Sequence, residues 1–322
     1  MEQKRIFSRI GWAYFLLAAV TIALQYLLSL LLKNAGGLQE NTALVTLLSM
    51  APMYLVGMPV CVRILKKLPK KNLYRNPVKP GRWFSFLSMC FFVMMAGNLI
   101  GNVVSFLITS LTGLDLSFDL QEILMSEGLG IGFLLTVILA PILEEFVFRK
   151  ALIDRAIVFG DRTAILLSGF IFVLFHGNFH QLFYAFGLGC MLAYLYIRTG
   201  EVKYTISVHM AINLIGGFLP TVLLKQMDLD FLISGGMTSE MLENVAPYLG
   251  IFALYLFYIL GIFALAIVGL VFMILSVKKR VLRQGEYSMP AGQTAKAMFL
   301  NPGMLLFCVI TCVGLFVINI ME

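Results

Sequence analysis

The sequence predicts an all-α, polytopic helical membrane protein with about eight or nine transmembrane helices and a cytoplasmic N-terminus. Three observations carry that prediction. Of the 322 residues, 60% are hydrophobic and 13% charged, with a mean hydropathy of +0.92, whereas a soluble globular domain carries about 25% charged residues. The apolar residues fall in blocks long enough to cross a bilayer. The cations gather almost entirely on one side of those blocks. This composition excludes a water-soluble enzyme, and it excludes a disordered chain, which would be polar.

Nine stretches qualify as spans, at about 11–32, 42–65, 83–111, 129–153, 163–177, 182–198, 203–224, 247–277 and 302–320. The first is too long for the core of a signal peptide and no small-residue cleavage site follows it closely, so it reads as a retained span. A basic linker over 63–82 with eight cations follows the second. In the third, Gly97 and Gly101 flank Asn98 and form a small-residue face suited to close helix packing. The fifth and sixth are short and separated only by His176-Gly177-Asn178-Phe179-His180. They read either as a tight helical hairpin or as one broken element. No internal repeat is evident.

A cytoplasmic N-terminus puts 22 of the 24 Lys and Arg residues inside and leaves only Lys33 and Lys225 outside. The positive-inside rule makes the opposite orientation untenable. The net charge of +7 therefore reports topology and attraction to anionic lipid, and no nucleic-acid partner is expected. The outer segments 112–128 and 226–246 are acidic with interspersed apolar residues, as pieces lying along the interface would be. Trp12 and Trp83 sit at span ends, where interfacial aromatics belong. Cys61, Cys90, Cys190, Cys308 and Cys312 lie in or beside spans. Their odd number without a CxxC pair gives neither a disulfide framework nor a zinc knuckle.

The chemistry-bearing residues stand out by what they cost. Pro141-Ile142-Leu143-Glu144-Glu145-Phe146-Val147-Phe148-Arg149 places two adjacent carboxylates late in the fourth span, and a charge at mid-bilayer costs about 2.5–3.5 kcal/mol on insertion scales. Glu145 and Arg149 are four apart and share a helix face, so they can pair. Glu144 points about 100° away. That geometry divides their roles, with Glu145 ionised and orienting the helix, and Glu144 left as a desolvated carboxylate with the character of a general base. Arg149 alone reads as a snorkelling interfacial residue, and both glutamates as a structural knot around it. One carboxylate would have sufficed for that knot.

All three histidines also fall in or at the ends of spans, His176 and His180 around the end of the fifth and His209 in the seventh. A single buried histidine is usually a satisfied core residue, but three with none in the large cytoplasmic loops are harder to dismiss. His209 and Asn213, four apart, face one way and form an oxyanion-hole arrangement if a carbonyl reaches them. Helix rise puts Glu144 and His176 at similar depth, roughly 20 Å from the cytoplasmic helix ends. His209 comes out only about 9 Å beyond Lys203, so the seventh helix has to tilt or begin deeper for the three to converge.

The motifs Glu144-Glu145-x-x-x-Arg149, Phe172-x-x-x-His176 and His209-x-x-x-Asn213, in that order on successive apolar segments, resemble the CAAX protease and bacteriocin-processing (Abi) family of intramembrane proteases, related to the Ras-converting enzyme. The stretch from Phe186, Gly187 and Gly189 to Thr199 and Gly200 is similar to the family's glycine-containing helix. The resemblance covers about 141–213. It implies an endopeptidase in which Glu144 and His176 activate a water and His209 and Asn213 stabilise the oxyanion, with Glu145, Arg149 and Phe172 in support. His180 matches no motif position. The implied organisation is a single integral membrane domain over 1–322 with a catalytic core at 129–224.

No cofactor is required by this reading, because a glutamate-activated water needs no metal. Glu144, His176 and His209 nevertheless make the ligand set of a His₂Glu zinc site of the metalloendopeptidase kind, without an HExxH motif. The implied partners are membrane lipids and a peptide or protein substrate, either lipidated or a bacteriocin precursor, at a bacterial cell membrane. Two other classes compete. One is a proton-coupled transporter, since intramembrane Glu and His residues also carry protons. The other is a non-catalytic bacteriocin-immunity protein on the same fold.

Overall fold

The apolar runs fold as helices throughout the computed structural model, which describes residues 2–34, 42–113, 128–177, 179, 181–226, 249–277 and 281–320, with no strand among them. In chain order these are α1 (Glu2–Asn34), α2 (42–65), α3 (Pro80–Thr112), α4 (Leu129–Phe159), α5 (Asp161–His176), α6 (Leu182–Thr199), α7 (Val202–Lys225), α8 (Leu249–Ser276), α9 (Ala291–Phe299) and α10 (Pro302–Ile320). Of the described residues, seven helices are individually long and apolar enough to cross a membrane, or eight when α9 and the start of α10, bent by 66° at their junction, count as one span. The protein is a multi-pass helical membrane protein.

One of the two short anticipated spans is too short to cross by itself, and a helix the sequence did not reveal precedes the ninth. The fifth is a helix of 16 residues, which at 1.5 Å per residue covers about 24 Å, short of the ~30 Å hydrocarbon core. It ends at Gly177, whose φ of +59° turns the chain out of the helix, and α6 returns against it. The pair is therefore a helical hairpin. The ninth is preceded by α9, which the hydropathy pattern does not reveal because its nine residues are mostly small or polar. The outer segments expected along the interface lie largely outside the described residues, as does His180.

Lipid tails are as apolar as leucine, so helix association in a bilayer depends on close packing and polar contacts. The glycines show where. A Cβ on Gly97 of α3 would stand 2.5 Å from Cα of Tyr184 in α6, and one on Gly189 of α6 would stand 2.9 Å from Cα of Gly169 in α5. Helix α6 is thus clamped backbone to backbone on two sides. It contributes to both apolar cores, through Ala185, Ala193 and Tyr196 to one built with α1, α2, α4, α5 and α10, and through Leu188, Leu192 and Leu195 to one built with α3 and α7. Helix α8 packs on α3 but leaves Leu254, Phe257 and Ile267 among many exposed apolar side chains. That face is the lipid-facing surface of a span.

The basic linker is tied to the helix ends. Its main chain bonds α4 through Lys71 N to Asp154 O (2.8 Å) and α6 through Asn76 N to Thr199 O (2.8 Å), while Asn76 Nδ2 donates to Arg198 O (3.1 Å). A second strap, 281–290, runs along the start of α5, where Asp161 N donates to Arg283 O (3.0 Å) and Tyr287 N to Val158 O (2.8 Å). Both straps lie at the cytoplasmic ends of the helices under the orientation that the cation asymmetry sets.

Candidate active site

The site is organised by α4, whose course is not a regular α-helix. Pro141 has no N–H to give to the preceding turn, and two wider π-helical turns, Phe133–Leu139 and Phe146–Ala151, flank Ala140–Glu145. Such turns leave carbonyls available to other partners, and here other helices use them. Asn213 Nδ2 of α7 donates to Thr136 O (2.8 Å), Tyr14 OH of α1 to Val147 O (3.0 Å), and Ser168 Oγ of α5 to Phe148 O (2.8 Å). Three surrounding helices are therefore docked on the backbone of the one that carries the glutamates.

Between those turns the two carboxylates part as their spacing predicts. Glu145 and Arg149 are completely buried and pair at 3.2 Å. Arg149 also donates to Ser168 Oγ (3.1 Å) and lies over the Phe172 ring, 4.4 Å from its centroid. The other Glu145 oxygen accepts from His209 Nδ1 at 3.0 Å, while the Thr205 hydroxyl one turn earlier on α7 donates to Val202 O (2.9 Å). Glu144 is the more accessible of the two, with 13% of its side chain exposed. Its Oε2 stands 4.0 Å from His209 Nε2, whose ring is 8% exposed. That gap is too long for a direct hydrogen bond and is the kind of separation a shared water bridges.

His176 is oriented from within its own helix. Its Nδ1 donates to Phe172 O (2.8 Å), since a carbonyl can only accept. In the neutral ring Nε2 is then an acceptor. Its ring meets the edge of Phe172 at 4.5 Å, and Phe172 in turn meets His209 at 6.0 Å, so one aromatic ring spaces both histidines and the arginine. Glu144, His176 and His209 lie within electrostatic reach of one another.

The structure thus brings Glu144, Glu145, Arg149, Phe172, His176 and His209 together, and Asn213 follows one turn beyond His209 on α7. One Asn213 N–H is taken by Thr136 O, which leaves its second for a ligand. Sequence reasoning missed Ser168 and Tyr14, whose partners lie on another helix, and Tyr54, which reaches Glu144 electrostatically from the π-helical turn of α2. The available signal was Ser168, a hydroxyl alone within an apolar run.

The profile of the family described as "Type II CAAX prenyl endopeptidase Rce1-like" matches residues 127–215, the stretch that holds every one of the motif residues. The chain carries a CAAX-protease domain. Relatives agree with this. The chain is 28% identical over 170 residues to the "Putative membrane peptidase YdiL" of Bacillus subtilis (strain 168), a match covering 50% of this chain and 66% of that one. It is 25% identical over 216 residues to the "Membrane-embedded CAAX protease MroQ" of Staphylococcus aureus (strain USA300), covering 63% of this chain and 86% of that one. No solved structure matches the chain at the same stringency. The stretch similar to this family runs from α4 to the middle of α7.

Proposed function

We propose that the protein is an intramembrane endopeptidase of the CAAX-protease and bacteriocin-processing type, in which Glu144 activates the attacking water. The observation that carries this reading is the 4.0 Å opening between Glu144 Oε2 and His209 Nε2, beside a histidine whose Nε2 is left as an acceptor. Water held by Glu144 and His176 loses a proton to Glu144 as its oxygen attacks the scissile carbonyl. The oxyanion takes up hydrogen bonds from the free N–H of Asn213 and from His209 Nε2. With Nδ1–H held by Glu145, the His209 ring has to carry both protons to donate through Nε2, and the Glu145–Arg149 pair fixes the ring for that role. The proton on Glu144 then passes to the amide nitrogen as the C–N bond breaks.

The donor types at the site are those of catalytic zinc. Among the described residues, however, no three His, Cys, Asp or Glu side chains are gathered closely enough to hold a metal ion. As placed, the residues do not fit zinc, and the reading routes no step through it. The substrate is a peptide or protein segment presented at the cytoplasmic side of the bilayer, with a lipidated protein or a bacteriocin precursor as the two classes to try.

The test is cleavage of a quenched peptide library by purified protein in detergent, comparing wild type with Glu144→Ala and His176→Ala, each with and without a zinc chelator. Cleavage that both substitutions abolish and the chelator spares is the expected result. Loss on chelation with restoration by zinc would replace the mechanism with a metal-dependent one. Undiminished cleavage by both variants would overturn the assignment of the base.

A further inference from the structure

On the cytoplasmic side, the start of α5, the 281–290 strap and α9 enclose an open cleft of about 860 Å³. Its lining is mixed, with an apolar side that includes Leu166, Met298 and Phe299 and a polar side with Thr163, Ser288 and Thr294, and Phe299 is held in place edge-on by Phe170 of α5 at 4.8 Å. The charged groups that border it are Arg162, Arg283 and Asp161. Asp161 is 2% exposed and accepts from Arg283 N (3.1 Å) and Nε (3.3 Å). Those two charges neutralise each other. Arg162 is exposed at the mouth and has no ion pair or hydrogen-bond partner among the described residues.

Arg162 lies in the first turn of α5, at the helix end that the cation asymmetry makes cytoplasmic, and Leu166 lies one turn further along the helix, 38% exposed. Helix α9, bent 66° from α10, closes the other side as an interfacial helix does. A cleft with one unneutralised guanidinium at the cytoplasmic helix end and an apolar side beyond it is complementary to an anionic amphiphile, and the cytoplasmic leaflet supplies one. We propose that this cleft is a specific binding site for an anionic glycerophospholipid, with its phosphate on Arg162 and an acyl chain running past Leu166 toward Phe299. The volume suits one chain and a headgroup. The site is separate from the proposed catalytic residues, so the inference stands or falls independently of the peptidase reading.

The experiment places the full-length protein in nanodiscs of phosphatidylcholine containing a trace of either phosphatidylglycerol or phosphatidylcholine with a diazirine on one acyl chain. After illumination, labelled peptides are mapped, with α8 as the lipid-exposed reference. Phosphatidylglycerol should label 289–299 and 162–170 about fivefold more than phosphatidylcholine does, relative to α8. Arg162→Gln should remove that preference. Ala295→Trp, which fills the cleft from its exposed rim, should lower labelling of these peptides by both lipids while α8 labelling stays constant. Equal labelling by the two lipids, a preference that survives Arg162→Gln, or one erased by millimolar inorganic phosphate would each overturn the proposal, the last because the site would then take free phosphate.

Discussion

Helix α4 carries two buried ionic clusters less than three turns apart, and they are built differently. In the outer-leaning one, Glu145 pairs with Arg149 and His209, yet Glu145 Oε2 and Arg149 Nε and Nη2 have no well-aligned hydrogen bond, and Glu144 faces His209 across 4.0 Å. In the cytoplasmic one, Asp154 accepts from Tyr196 OH at 2.7 Å and meets Lys70 and Lys150 at 3.8 Å. Arg155 donates to Leu65 O (2.8 Å) and Ala151 O (3.0 Å). Neither Asp154 nor Arg155 keeps a buried side-chain atom without a partner. The second cluster is closed and joins α2, the linker, α4 and α6. The first retains bonding capacity, which is what a group that must engage substrate and water requires.

This contrast can be broken at several points. Glu144→Gln keeps the shape but removes the base, and should lower kcat by about 10² to 10⁴ with little change in thermal midpoint, since the nearest charged partner of Glu144, the His209 ring, stands 4.0 Å away without a direct hydrogen bond. Arg149→Leu leaves Glu145 buried without its partner and should cost on the order of 3–5 kcal/mol of stability, read as a fall in the unfolding midpoint in detergent. Asn213→Ala, by removing one oxyanion donor, should reduce kcat by about 10² with KM held. Tyr196→Phe removes a hydrogen bond to a carboxylate in the closed cluster and should cost roughly 1.5–3 kcal/mol while leaving the kcat of the folded protein unchanged. A loss of kcat in Tyr196→Phe comparable to that in Glu144→Gln would show the two clusters to be one functional unit.

The parts of this arrangement legible in the sequence are those set by local periodicity. Apolar run length located the long helices, and the four-residue spacing placed Glu145 on Arg149 and turned Glu144 away from it. What local spacing cannot express is which helix lies beside which. Ser168 under Arg149, His209 on Glu145 and Asn213 on Thr136 O all join residues separated by 19 or more positions. The depth argument left His209 too shallow, because it assumed straight parallel helices. Helix α9 was invisible for a different reason. It is short, and it is held by Phe170 and the cleft walls more than by any run of its own apolar residues.

The two π-helical turns of α4 have a consequence for how this chain tolerates insertion and deletion. Each such turn holds one residue more than the α-helical ladder needs, so loss of that residue would leave the flanks in register, whereas one more residue inserted in 133–139 would have no slack left to absorb it and would rotate everything beyond it by about 100°. Pro141 through Arg149 would swing together, carrying both glutamates off His209 and withdrawing the carbonyl that anchors Asn213. Substitutions on the lipid-facing side of α4 should be absorbed readily, whereas one residue added to this segment should not. Reading frame along the helix, more than the identity of most of its residues, is what the site depends on.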